Sequence, residues 1–316
     1  MPESFPSYTS LQIVEQRPSR RELDARRPYE FFVELEHNAR GEVVDVATLF
    51  LTNRECPFRC LMCDLWKHTL TESVSPGDIP EQIRWALSQL PAAREIKLYN
   101  SGNFFDTKAI PPDDYQAIAD LVREYGTVIV ENHPNLCNEK CLEFRELIAP
   151  TQLEIAMGLE TCHPDLLAAL NKQMTLADFD RAADFLHSNG IRTRAFILLK
   201  PPYLAETEAV EWTLKSIEYA FGRGVGCCAV IPTRVGNGIM DQLEREGQFS
   251  PPQGASLERV LLEGLRMNRG RVFVDLWDAE AFFRCNSCRA ERMNRLNEMN
   301  LSQTILPEAD CPECRS

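Results

Sequence analysis

Thr48-Leu49-Phe50-Leu51-Thr52-Asn53-Arg54-Glu55-Cys56-Pro57-Phe58-Arg59-Cys60-Leu61-Met62-Cys63-Asp64 joins an apolar run to three closely spaced cysteines. The run, 43–51, reads as a buried strand, and the cysteines follow it as Cys56-x3-Cys60-x2-Cys63. Three thiolates on one short loop can hold three irons of a [4Fe–4S] cube and leave the fourth iron open to a ligand. Two other readings stand beside this one. With His68 the triad can form a Cys3His zinc site, or the three can be unligated core thiols. The position favours the cube, because a strand-to-helix loop at the C-terminal mouth of a parallel barrel is where such folds gather reactive groups.

Outward from the triad, strand-like and helix-like segments alternate. Candidate strands lie at 43–51, 95–99, 127–131, 152–159, 192–199, 226–231 and 272–276, with amphipathic stretches at 80–90, 112–124, 139–148, 176–188 and 206–221. Strands separated by helices pair in parallel, and six or seven such units predict a partial (β/α)6-type TIM barrel over 41–280. A closed eight-unit barrel takes about 250 residues, so an open one suits the length. Residues 1–40 read as an arginine-rich arm, either solvated or contacting phosphate. Residues 281–316 read as a small cysteine-rich lobe. There Cys285-x2-Cys288 and Cys311-x2-Cys314 offer four thiolates in two knuckles, fit for structural zinc or an auxiliary iron–sulfur cluster.

Bulk properties narrow the classes. The net charge of −13 argues against a surface coated for nucleic-acid binding, though a local basic patch is compatible with it. No apolar run is long enough to cross a membrane. The N-terminus lacks the basic-then-apolar pattern of a secretory leader. The expected location is therefore cytoplasmic, where 12 cysteines serve metals better than disulfides.

In a parallel barrel the functional groups sit just past each strand's last apolar residue. Those exits carry Asn100-Ser101-Gly102, Glu131-Asn132-His133-Pro134, Gly158-Leu159-Glu160-Thr161, Lys200 and Gly236-Asn237-Gly238. Small polar residues at Asn100, Ser101 and Gly102 let backbone approach a ligand. Glu131 and Glu160 are carboxylates placed to bind a hydroxyl or an ammonium group. His133 is either a proton carrier or structural. Asp275 and Asp278 flank the mouth. Cys137, Cys141, Cys227 and Cys228 read as core.

With these residues in place, the triad spacing resembles that of the radical S-adenosylmethionine (radical SAM) superfamily. The resemblance implies a [4Fe–4S] cluster on Cys56, Cys60 and Cys63, SAM on the open iron, an external electron donor and hydrogen abstraction by a 5′-deoxyadenosyl radical. It also implies SAM contacts from Asn100, Ser101, Gly102, Glu131, Glu160 and Arg194. Arg194 would clamp the SAM carboxylate, with Lys200 the competitor. Met62 departs from the aromatic residue usual before the third cysteine. The ordered set Cys56–Cys63, Glu131–Pro134, Gly158–Thr161 and Leu198–Pro202 resembles the branch holding the radical SAM subunit of archaeosine synthase and relatives of the Elongator catalytic subunit. The first cysteine gap is shorter than in the Elongator subunit, and the acetyltransferase domain is absent. That branch implies a modified tRNA base as substrate and a partner synthase subunit. A peptide or small-metabolite substrate, or a non-enzymatic zinc protein, are the alternatives.

Overall fold

A computed structural model describes residues 5–314, so the leader reading at 1–4 lies outside the described residues. Eight strands form one sheet in sequential order: β1 (Glu30–His37), β2 (Val43–Phe50), β3 (Glu95–Tyr99), β4 (Thr127–Asn132), β5 (Gln152–Glu160), β6 (Arg192–Leu199), β7 (Cys227–Pro232) and β8 (Arg271–Val274). β1 pairs antiparallel with β2, and every later pair is parallel. The helices are α1 (Ser10–Glu15), α2 (Asp78–Leu87), α3 (Tyr115–Val122), α4 (Glu139–Leu147), α5 (Pro164–Ala169), α6 (Leu176–Ser188), α7 (Glu206–Gly222), α8 (Ile239–Arg245), α9 (Gly254–Arg266) and α10 (Arg289–Ser302). This is the expected partial α/β barrel, with one strand more than the sequence predicts. β1 falls within residues 1–40, expected as an arm.

The period of two assigns each strand two faces. The helix-facing positions are apolar: Leu49, Leu98, Val130, Ile155, Ile197 and Val230 are all fully buried in one core. The opposite face lines the lumen and is charged near the N-terminal ends of the parallel strands. Arg194 donates to Glu154 at 2.8 Å and to Glu36 at 2.6 Å, Lys97 reaches Glu36 at 2.5 Å and Glu34 at 2.8 Å, and Arg271 reaches Glu154 at 2.8 Å. Each of these charges is paired, as burial requires, while Glu95, a further acid on that face, accepts from Thr127 at 3.1 Å.

The sheet stays open between β1 and β8, and α10 lies across both edges. Asn300 and Gln303 stand in for a ninth strand. Asn300 accepts from Val274 N at 3.0 Å and donates to Val274 O at 2.9 Å. Gln303 does the same to Val272, at 2.8 and 2.9 Å. On the β1 side the His37 imidazole bonds Leu301 O at 2.9 Å. The carboxamides thus satisfy strand groups that an open edge would leave unpaired. Among the described residues no helix is long and apolar enough to cross a membrane.

Candidate functional site

The cysteine loop leaves β2 at the C-terminal end of the sheet and is held from several sides. Leu61 N bonds Leu170 O at 2.8 Å, and Asn171 donates to Arg59 O at 2.7 Å. Asn237 donates to Leu61 O at 2.8 Å and Cys63 O at 3.1 Å. Glu55, just before the first cysteine, takes Arg17 at 2.7 Å and Arg20 at 2.6 Å. Arg17 also covers the Trp66 ring at 4.7 Å. The N-terminal segment therefore straps the loop in place. Its Arg17 and Arg20, offered by the sequence as phosphate contacts, are occupied within the chain.

Cys60 is buried, and burial pushes its thiol up to about 12. Burial likewise raises Cys56 and Cys63. Three thiols this reluctant to ionise alone need positive charge brought to them. One local source is the Lys172 ammonium, whose field lowers both Cys56 and Cys60. Asn103 adds a direct contact, its Nδ2 lying 3.1 Å from Cys56 Sγ. Among the described residues, only Cys285, Cys288, Cys311 and Cys314 gather ligand atoms within 4.8 Å of one another. A structural zinc needs a fourth ligand beside three thiolates, whereas a cube takes one thiolate per iron and leaves the fourth iron open. His68, the fourth ligand of the zinc reading, instead stacks on Tyr29 at 4.6 Å.

The strand exits surround this loop. Beyond β3, Glu131 Oε1 accepts from Asn100 N at 2.7 Å and Gly102 N at 3.2 Å. It shapes the 100–102 turn from beneath, and burial raises its carboxyl. Ser101, with φ 51°, takes the left-handed conformation there, and Gly102 does not. A Cβ on Gly102 would meet Cys56 Cβ at an ordinary 3.6 Å. Asn100 Oδ1 is buried without a hydrogen-bond partner. Glu160 and Lys200 are also left-handed, at φ 64° and 54°. Three such exits at one end of a sheet match the clustering of backbone strain at functional sites.

Glu160 pairs with Lys172 at 2.6 Å, both side chains buried. Gly158 makes room for the pair, since a Cβ there would overlap Glu160 Oε1 and Lys172 Nζ. Lys172 lies on the α5–α6 linker, outside any motif that sequence reading could pick out. Its only neighbouring signal is the flanking Asn171 and Gln173, both at positive φ.

The remaining expected residues lie elsewhere or are occupied. Arg194 belongs to the floor, third in β6 and held by Glu36 and Glu154, so it is not brought to the loop. Lys200 donates to Ser250 O at 2.8 Å and Ser250 Oγ at 2.9 Å. His133 accepts from Asn135 N at 3.1 Å and places Nε2 3.0 Å from Lys172 O. Burial and the Lys172 charge push it down to about 3, so it stays neutral and structural. Gly238, at φ 93°, lets the Gln16 carbonyl pass. Asp275 pairs with Arg234 at 3.0 Å.

In the tail, Cys285 and Cys311 sulfurs lie 3.8 Å apart and those of Cys288 and Cys314 3.6 Å apart. Cys288 is also the residue before α10, so the knuckles anchor the helix that covers the open edges.

No protein-family model matches the chain. It is 27% identical over 276 residues to archaeosine synthase subunit beta of Methanosarcina acetivorans, covering 81% of this chain and 78% of that one. Its fold matches a radical SAM methyltransferase from Sphaerobacter thermophilus with a TM-score of 0.51 at 15% identity, over 76% of this chain and 72% of the other. The chain has the radical SAM fold. A second match with the same TM-score of 0.51 and 15% identity is Methanocaldococcus infernus Elp3, over 70% of this chain and 59% of that one. The chain thus resembles archaeosine synthase subunit beta in sequence and Elp3 in fold, the two proteins whose branch its motifs suggest.

Proposed function

We propose that this radical SAM protein acts on a modified tRNA base, in the manner of archaeosine synthase, with a partner subunit and an external electron donor. The observation that carries the reading is the three-cysteine loop at the barrel mouth, set beside a buried Lys172–Glu160 pair. Support for the substrate comes from the likeness to archaeosine synthase subunit beta. When bound, a [4Fe–4S] cluster and SAM supply a 5′-deoxyadenosyl radical that takes hydrogen from the substrate.

Cys56, Cys60 and Cys63 would hold the cluster. Lys172 takes the role first given to Arg194: its ammonium offsets thiolate charge and attracts a carboxylate at the mouth. Glu160, aligned by Lys172, presents its carboxylate to a hydroxyl or an ammonium. Glu131 fixes the Asn100–Gly102 turn so that its backbone meets the ligand in one conformation. The helix-covered lumen keeps water from the reacting atoms.

The tail suits structural zinc better than a second cluster. Its four thiolates converge to tetrahedral spacing, and a lobe with few buried residues of its own gains stability from a metal.

The test is anaerobic. Protein reconstituted with iron and sulfide receives reductant, SAM and tRNA bearing a lysine-adducted deazaguanine, and 5′-deoxyadenosine and the base product are quantified. Deoxyadenosine that rises with this tRNA and disappears in Cys60→Ala is expected. Stimulation by a peptide or small metabolite instead of tRNA would move the reading to that substrate class. Loss of zinc from Cys311→Ala with an unchanged cluster spectrum is expected for the tail; an altered reduced-cluster paramagnetic signal would overturn zinc.

A further inference from the structure

Between the charged floor and the cysteine loop, the lumen has two kinds of wall. Phe32, Phe50, Tyr99, Phe196 and Phe273 face inward from five strands, each only half-buried. Centroids run 6.0 Å from Phe32 to Phe50, 6.0 Å from Phe50 to Tyr99 and 6.1 Å from Tyr99 to Phe196. None of the five belongs to the helix-facing core. Above Glu154 the inward positions nearest the rings are small, Ala156 on β5 and Ala229 on β7. The rings meet one another at 47° to 79°, so the slot over the small residues offers a flat ligand one ring face and the edges of its neighbours.

Glu34 lies below this band. Its Oε1 accepts from Thr48 at 2.6 Å and Lys97 at 2.8 Å, whereas no described residue donates to Oε2. Its side chain is 39% exposed, against 9% for the neighbouring Glu36. Both oxygens of Glu36 are engaged by Arg194 and Lys97. One acid of the floor is therefore left with an open acceptor.

We propose that this slot binds a planar nitrogen heterocycle, stacked on the Phe196 face with Phe50 and Tyr99 beside it, with an N–H of its edge donated to Glu34 Oε2. The inference rests on the tRNA-base reading and goes past it by naming the recognition residues. Aromatic faces favour any base ring, while an open carboxylate prefers an edge that donates over one that presents a lone pair.

The test measures equilibrium binding of 7-deazaguanine and 7-deazaadenine to the SAM-loaded, cluster-reconstituted enzyme. The wild type is expected to prefer 7-deazaguanine by about tenfold or more. Glu34→Gln should remove most of that preference, and Phe196→Leu should weaken both rings. Equal affinities in the wild type, or a preference that survives Glu34→Gln, would overturn the edge contact. Should Glu34→Gln fail to fold, Phe196→Leu still reports on the slot, and unchanged affinity there overturns stacking. tRNA carrying the ring should displace the free base; its failure to do so overturns RNA as the source. Wild-type enzyme that forms 5′-deoxyadenosine yet binds neither ring sinks the slot alone. Enzyme that forms none sinks the reading beneath it.

Discussion

Asn103 and Lys172 together set the electrostatics of the cysteine loop. Asn103 bridges, taking His133 N at 2.7 Å while its amide reaches Cys56 Sγ. A donor to a ligating sulfur stabilises the reduced, more negative cluster. Asn103→Ala is expected to lower the cluster's midpoint by on the order of tens of millivolts, read by a redox titration followed by paramagnetic resonance. Lys172→Met should leave the cluster assembled but weaken SAM binding at least about tenfold, since a buried charged pair is broken at the mouth. Equilibrium dialysis with SAM checks this, and unchanged affinity would return Lys172 to a structural role. The sequence exposes the cysteines because three of them lie within one turn of chain. It hides Lys172 because the partners that define it, Glu160 and Cys60, come together only through the fold. Arg194 misleads for a related reason: sequence shows that it lies on a strand but not at which end.

At the level of elements, seven strands are legible as apolar runs flanked by helical stretches, and their boundaries fall within about two residues of those observed. β1 is not, because Glu30, Glu34 and Glu36 interrupt its apolar pattern. Of these, Glu34 and Glu36 meet their bases, Lys97 and Arg194, from β3 and β6. A strand that buries charge against distant partners looks like loop until the partners are known. The strap formed by the N-terminal segment depends on one backbone position. Gly238→Ala would place a Cβ on the Gln16 carbonyl in a left-handed conformation. The expected cost is about 3 kcal/mol or more, with the segment around α1 becoming the first site of limited proteolysis. Digestion patterns identical to wild type would show that the strap tolerates displacement.

Across the whole molecule, the charged floor governs acid stability. Burial alone would raise Glu36 and Glu154, but Arg194 and Lys97 around the first, and Arg194 and Arg271 around the second, more than reverse it, so both are lowered. A carboxylate lowered in the folded state stabilises fully above the unfolded range near pH 4.3, and the contribution fades as pH falls through the folded value. Thermal unfolding followed from pH 8 to pH 3 should therefore show little change from these groups until about pH 4.5, then a steepening loss. Glu154→Gln should lose about 3–5 kcal/mol of stability at neutral pH, unfold at lower temperature and show a shallower acid slope. A slope equal to wild type would assign acid sensitivity elsewhere.

The carboxamides of Asn300 and Gln303 have a practical bearing on how this protein is handled. They act as a removable hem: while α10 is anchored at Cys288, the backbone of β8 cannot recruit a strand from a neighbouring molecule. If the tail holds the zinc proposed for it, stripping that metal would free the hem and leave that border ready to self-associate. Activity lost on chelation would then come with turbidity, and light scattering recorded beside the assay would tell a precipitating sample from a disarmed catalyst.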